Sequence, residues 1–64
     1  MGASHKYVPG DTIELSRYPG ISFVVLKTMI SPERKENVYS VRFADKPEDT
    51  RGFLVWEETI RKAP

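Results

Sequence analysis

Apolar and polar residues alternate along several short stretches of this chain, with the period of two that is typical of β-strands. The clearest stretch runs from Tyr39 to Phe43, with the sequence YSVRF. The polar segment 44–52 follows and contains the Asp, Pro and Gly residues that favour a loop. The apolar run Phe53–Trp56 then has the length and the β-forming residues of another strand. These stretches predict a β-hairpin.

Two further strands are predicted before this hairpin. Ile13 and Leu15 alternate with polar neighbours after a Pro-Gly turn. Residues 17–20, RYPG, then predict a loop that carries an aromatic residue. The segment 21–30 is the longest apolar run, and its β-branched residues favour a strand over a helix. Because both of its faces are apolar, we expect a long, bent strand that contributes to the core on both sides of a bend.

The chain closes with a last short strand. The segment 57–59 is too short for an α-helix but fits a single 3₁₀ turn, after which residue 60 starts the strand. The fold class is therefore all-β, and we predict one five-stranded, strongly bent barrel over residues 7–62, after a disordered tail at 1–6. A sandwich would need more strands than 64 residues supply. The predicted core consists of Val8, Ile13, Leu15, Val24, Leu26, Val41, Leu54 and Ile60.

Composition excludes several classes of site. The chain has no cysteine and one histidine, so disulfides and thiolate metal sites are excluded, and we expect no metal and no cofactor. No nucleophile lies near a recognisable base, so we expect no enzyme. No apolar stretch approaches the roughly 18 residues of a membrane span, and the start lacks the apolar core of a signal peptide. These features favour an intracellular protein, cytoplasmic or nuclear.

The order of the motifs resembles a known group of folds. The segments PGDTIEL, YPG, FVV, YSVRFAD and FLVW, followed by a closing isoleucine, resemble the SH3-like small barrels and are most similar to Tudor domains. The resemblance covers residues 7–62. It implies an open cage of aromatic rings that accepts a methylated lysine or arginine from a peptide, at roughly 0.5–2 kcal/mol per cation–π contact.

The resemblance also implies which residues would form this cage. Tyr18 would be the loop aromatic, Phe23 would start the second strand, and Phe43 would end the third. Asp45 would be the acidic member, and Phe53 would stand on the fourth strand. This chain has phenylalanine where such cages commonly have tryptophan or tyrosine, and its loop 44–52 is longer than usual.

Each of these residues also has a structural interpretation. For the three phenylalanines the core of a small barrel is the preferred interpretation, because aromatic side chains dominate small cores. Asp45 could cap its own turn. Trp56 would either close the open end of the barrel or mark an interface. Tyr18 remains the best single candidate for contact with a ligand.

Three functions follow from the fold resemblance, in order of preference. The first is a non-catalytic binding module that recognises a protein or peptide segment or docks on a larger complex. The alternative is a nucleic-acid-binding barrel of the KOW type, with Tyr18 or Trp56 stacking on bases. Its cations would be Lys27, Arg34, Lys35, Arg42 and Arg51. However, the ten basic and nine acidic residues are interleaved along the chain, and this order gives no reason to expect a basic face. The third is an oligomeric enzyme like the type II dihydrofolate reductases, whose Val-Gln-Ile-Tyr run is absent here.

Overall fold

A computed structural model of the chain describes residues 5–62, and every regular element in this range except one 3₁₀ turn is a β-strand. The strands are β1 (Thr12–Leu15), β2 (Tyr18–Ile30), β3 (Asn37–Phe43), β4 (Phe53–Trp56) and β5 (Ile60–Lys62). The 3₁₀ turn at Glu57–Thr59 directly precedes β5. The all-β prediction and the position of this turn are confirmed. Over the range described, no helix is long and apolar enough to cross a membrane.

The five strands form one antiparallel sheet in the order β4-β3-β2-β1-β5, with β2 at its centre. The first part of β2 pairs with β1, for example Phe23 with Ile13, and the later part pairs with β3, down to Ile30 opposite Asn37. Both pairings contain an irregularity in register, and one of them lies between Val25 and Lys27 of β2. Irregularities of this kind bend a strand and increase its twist. One long strand therefore serves two neighbours.

The second strand begins earlier than the sequence predicted. Leu15 pairs with Tyr18, so Ser16 and Arg17 form a two-residue hairpin turn and Tyr18 is the first residue of β2. The prediction of a loop over 17–20 was therefore wrong. Ser16 is fixed from outside the hairpin, because its backbone N–H and its hydroxyl both donate to the carbonyl oxygen of Thr59, at 2.9 and 3.1 Å. The hairpin end thus lies beside the 3₁₀ turn.

The core lies on one face of the bent sheet. Its buried cluster consists of Ile13, Leu15, Phe23, Val25, Tyr39, Val41 and Ile60. Four of the eight predicted core residues belong to it, namely Ile13, Leu15, Val41 and Ile60. Tyr7 and Val55 pack against the cluster from its edges.

The predicted core residues of the second strand were on the wrong face. Val24 and Leu26 are only half-buried, whereas Phe23 and Val25 are 0% and 1% exposed. Directly paired residues of neighbouring strands point to the same face of a sheet. Because Phe23 pairs with Ile13, it shares the core face, which excludes Val24.

Val8 and Leu54 were also predicted in the core, and both are exposed, at 57% and 65%. Val8 lies in the turn that leads to β1, where the N–H of Asp11 donates to the Val8 carbonyl oxygen at 3.0 Å. Leu54 lies in β4 between Phe53 and Val55, whose partners in β3 are the core residues Val41 and Tyr39. Since side chains alternate along a strand, Leu54 points to the opposite face.

The segment that precedes Tyr7 makes defined contacts where the structure describes it. The ring Nε2 of His5 donates to the Met29 carbonyl oxygen at 2.8 Å, and this ring meets Tyr39 edge-on with 5.2 Å between centroids. The backbone N–H of Lys6 donates to the Tyr39 hydroxyl at 3.1 Å. His5 and Lys6 therefore contact the domain. The rest of the predicted tail, residues 1–4, lies outside the described residues.

Candidate functional site

Three phenylalanines meet at one end of the core. Phe23 is 0% exposed and lies beneath Phe43 and Phe53, which are each 38% exposed. The ring centroid of Phe23 lies 4.9 Å from that of Phe43 and 5.8 Å from that of Phe53, and the centroids of the two outer rings are 6.0 Å apart. These distances are those of aromatic rings in direct contact. The rings therefore fill the space between them, and a cation would have only the outer faces of Phe43 and Phe53 to contact.

Asp45 lies beside this aromatic cluster. It is exposed and follows Phe43 at the end of β3. It lines a shallow depression together with Phe43 and residues 20–22 of β2. Phe53 is not among the lining residues of this depression. The carboxylate is thus adjacent to one of the three rings.

The fourth strand forms a ridge between two apolar grooves. The hairpin groove, of about 370 Å³, lies between β4 and the end of the β1–β2 hairpin. All four β4 residues line it, and the residues opposite are Leu15, Arg17, Tyr18 and Thr59. The turn groove, of about 320 Å³, lies between β4 and the segment 29–32, with Val38 also lining it. Leu54, Val55 and Trp56 line both grooves.

Several large apolar side chains around this ridge are open to solvent. Leu54 is 65% exposed, and Tyr18 and Ile30 are each 50% exposed. Among residues 5–62, β3 is the strand that pairs with β4, so β4 is an edge strand of the described sheet. Natural edge strands are usually protected by charged residues or proline, and Phe53–Trp56 has neither. Large exposed apolar patches are uncommon on monomeric soluble proteins, and we therefore take the surface around β4 as the candidate site.

Trp56 already holds a cation on its ring. The guanidinium carbon of Arg34 lies 4.3 Å from the centroid of the Trp56 ring. Arg34 also forms an ion pair with Glu36, at 2.7 Å from Nε to Oε1, and a longer one with Glu58, at 3.9 Å. Arg34 therefore covers one face of the indole, and Trp56 lines the two grooves with the rest of its surface.

Polar groups of β3, the 3₁₀ turn and the segment before Tyr7 form a hydrogen-bonded cluster. The Tyr39 hydroxyl and the Asn37 side-chain amide both donate to Oε2 of Glu57, and the Lys6 backbone N–H donates to the same oxygen at 3.2 Å. Burial raises the pKa of Tyr39 to about 12, and the hydrogen bond to Glu57 adds to this rise. The phenol therefore stays protonated at neutral pH.

Glu57 shows the opposite shift. Burial by itself would raise its pKa, but the hydrogen bonds from Tyr39, Asn37 and the Lys6 backbone together outweigh burial, and the pKa lies below the usual 4.5. The carboxylate is thus ionised at neutral pH, and its Oε2 accepts three hydrogen bonds. This network clamps the 3₁₀ turn and the segment before Tyr7 onto β3.

The structure divides the residues singled out in the sequence into two groups. Tyr18, Phe53 and Trp56 line the hairpin groove together. Phe23 and Phe43 lie in the aromatic cluster, which Phe53 also joins. Leu54 and Arg17 were not predicted as binding residues from the sequence. The signal for Leu54 was the alternation within FLVW, because two neighbouring residues of a strand cannot both face the core.

These features define a small all-β domain with an open antiparallel sheet, whose edge strand exposes apolar side chains to two grooves. No family model matches the chain, and neither a curated protein nor a solved structure matches it.

Proposed function

We propose that this protein is a non-catalytic binding module that docks a segment of another protein on the apolar surface around β4. The observation that carries this proposal is the 65% exposure of Leu54 on an edge strand with an apolar groove on each side. Burying one such side chain on binding contributes roughly 1.5–3 kcal/mol. Aromatic residues such as Tyr18 and Trp56 are enriched at such interfaces.

The SH3-like barrel that the sequence resembles is part of this proposal. It is supported by the strand order β4-β3-β2-β1-β5 and by the 13 residues of β2, which pair with β1 at one end and with β3 at the other. It is also supported by the two register irregularities, because these bend strands towards closure.

Protein is favoured over nucleic acid because two of the five cations predicted to bind phosphate, Arg34 and Arg42, are engaged within the domain. Arg34 lies over Trp56 and pairs with Glu36. The Arg42 guanidinium donates to the carbonyl oxygens of Phe43 and Ala44 at 3.0 and 3.3 Å. Freeing either arginine to neutralise a phosphate would break these contacts, and this cost offsets part of the free energy gained by counterion release.

An unmodified apolar segment is favoured over a methylated lysine. The phenylalanines that would form the cage are in contact with one another, with centroids 4.9–6.0 Å apart. A methylated ammonium that contacts Asp45 would therefore meet the outer face of Phe43 alone, in the depression that Phe53 does not line.

The test is a selection of random octapeptides displayed on phage, followed by NMR titration of the ¹⁵N-labelled domain with the selected peptides. We expect the largest shifts at Tyr18, Leu54 and Trp56. Replacement of Leu54 by serine should weaken binding at least about tenfold. Replacement of Val8 by serine is the matched control, because Val8 is 57% exposed and lines none of the grooves described.

Parallel titrations separate the other functions. A methyl-lysine peptide that shifts only Phe43, Phe53 and Asp45 would make the domain a methyl reader. A mixed-sequence oligonucleotide that shifts the arginine and lysine amides at about 0.15 M salt, where weak contacts are screened, would make it a nucleic-acid-binding domain. Either result, without binding at Leu54, would refute the proposal.

A further inference from the structure

The open side of β4 has the backbone groups that an extended peptide needs. Within residues 5–62 the strand pairs with β3 on one side and with no strand on the other. An unpaired edge presents N–H and C=O groups that another extended chain can bind, and side chains of that chain then enter adjacent pockets. The carbonyl oxygen of Trp56 accepts a hydrogen bond from the Thr59 hydroxyl at 2.7 Å. The available edge therefore ends before Trp56.

The hairpin groove lies along this edge and limits what fits there. All four β4 residues form one wall, while Leu15, Arg17 and Tyr18 of the β1–β2 hairpin form the other. The three residues of available edge, 53–55, span about 10 Å at 3.3 Å per residue. An occupant of this length that runs along the wall is an extended segment rather than a helix, whose diameter of about 10–12 Å is much larger than the spacing of about 4.8 Å between paired strands.

The charge of Arg17 indicates that the bound peptide carries an acidic residue. Arg17 is exposed at the hairpin turn and is the charged residue among those that line the groove. Within the part of the chain that the structure describes, the ion pairs formed are those of Arg34 with Glu36 and Glu58. The Arg17 guanidinium is therefore available for a carboxylate, which it can hold by two parallel hydrogen bonds.

We infer that the hairpin groove binds an extended peptide segment that adds to β4 as a further strand and places a carboxylate on Arg17. The inference rests on the proposed function and specifies its ligand as an extended apolar segment with an acidic residue at one end. The side chains that alternate along the segment contact Tyr18 and Phe53 on the groove side.

The test uses two synthetic octapeptide libraries and the intact domain. In both libraries the positions alternate between threonine and a mixture of valine, isoleucine and leucine. One library ends in aspartate and the other in asparagine, each with an amidated terminus, so the two differ only in the charge of one side chain. Retention on the domain is measured by affinity selection and mass spectrometry. Two further sets of the aspartate library carry N-methyl groups on either the odd or the even amides.

We expect aspartate peptides to bind at least about fivefold more tightly than asparagine peptides. The preference for aspartate peptides should disappear in Arg17→Gln. It should persist in Lys46→Gln, which is the matched control because it removes one exposed positive charge outside the groove. N-methylation should abolish binding in one of the two sets and spare the other, because only alternate amides of a paired strand face its neighbour.

Two results would overturn the inference and leave the proposed function standing. Equal binding of the aspartate and asparagine libraries would remove the role of Arg17. Unchanged binding of both N-methylated sets would show that side chains alone hold the peptide, without strand addition. Failure of Leu54→Ser to weaken the octapeptides selected from the random library would instead refute the proposed function itself.

Discussion

Gly52 places β4 against β3, and replacing it by alanine should destabilise the domain more than the same change at another glycine. Gly52 has φ +66°, a conformation that L-residues adopt at a cost of about 1–2 kcal/mol. A Cβ atom at this position would also clash with the Val41 carbonyl oxygen and would lie 2.9 Å from both Leu26 Cδ1 and Ser40 Oγ. The Val41 carbonyl belongs to the backbone of β3 and cannot rotate away.

The magnitude follows from these two effects. Inserting a methyl group into a packed site costs about 1–3 kcal/mol, and with the backbone conformation the total for Gly52→Ala is about 2–5 kcal/mol. A domain of this size has a free energy of unfolding of about 3–10 kcal/mol, at 0.05–0.15 kcal/mol per residue. The substitution would therefore remove a large part of the stability.

The measurement is urea unfolding followed by Trp56 fluorescence, with Gly20→Ala as the matched control. Gly20 also has a positive φ, +86°, but no atom lies within 4 Å of the position that an alanine methyl group would take there. The free energy of unfolding of Gly20→Ala should therefore fall only by the conformational cost of about 1–2 kcal/mol. Both changes reduce the entropy of the unfolded chain equally, so that effect cancels in the comparison. If the two variants lose the same free energy within about 0.5 kcal/mol, the predicted clash at Gly52 is refuted.

Three further outcomes are expected. The pKa of Glu57 is lower in the folded state than its usual 4.5, so the stabilisation by its carboxylate is present above pH 4.5 and is lost as the pH falls further. The urea midpoint of unfolding should therefore fall between pH 5 and 3, and this pH dependence should be weaker in Glu57→Gln. The pKa of Tyr39 is raised from 10.0 to about 12, so the free energy of unfolding should fall as the pH rises through this interval. In an absorbance titration one tyrosine should ionise at higher pH than the others, and this step should be missing in Tyr39→Phe. Leu54→Ser should change the free energy of unfolding by less than about 0.5 kcal/mol, whereas Ile13→Ala should cost about 2–5 kcal/mol; equal losses would contradict the observed burial.

The alternation of residues was sufficient to predict the strands but not always the face that each strand buries. The β3 residues Tyr39, Val41 and Phe43 alternate strictly with polar ones, and Tyr39 and Val41 are indeed buried. In β2 both faces are apolar, so its pattern alone could not distinguish Val24 from Val25. The distinction comes from pairing, because Val25 lies opposite Val41. Register is a long-range property that a local pattern does not contain.

The candidate site was predictable only in part, for a related reason. Tyr18 was singled out because an aromatic residue next to Pro-Gly is hard to bury, and it is 50% exposed. Leu54 was assigned to the core from its apolarity alone. Arg17 carried no signal, because nothing local shows that the β1–β2 hairpin faces β4 across a groove. Grooves form between segments that are distant in sequence, and their lining is set by the way the sheet bends.

Exposed apolar residues occur singly on most proteins, so exposure alone does not argue for binding. Val8 is as open as Tyr18, yet it lines none of the grooves described and needs no ligand to explain it. Around β4 the exposed side chains are contiguous, because Leu54 adjoins Tyr18 in one groove and Ile30 in the other. The close approach of Gly52 to β3 fixes the position of this strand. A bulkier residue at 52 should therefore weaken binding as well as folding, whereas a change at Leu54 should weaken binding alone.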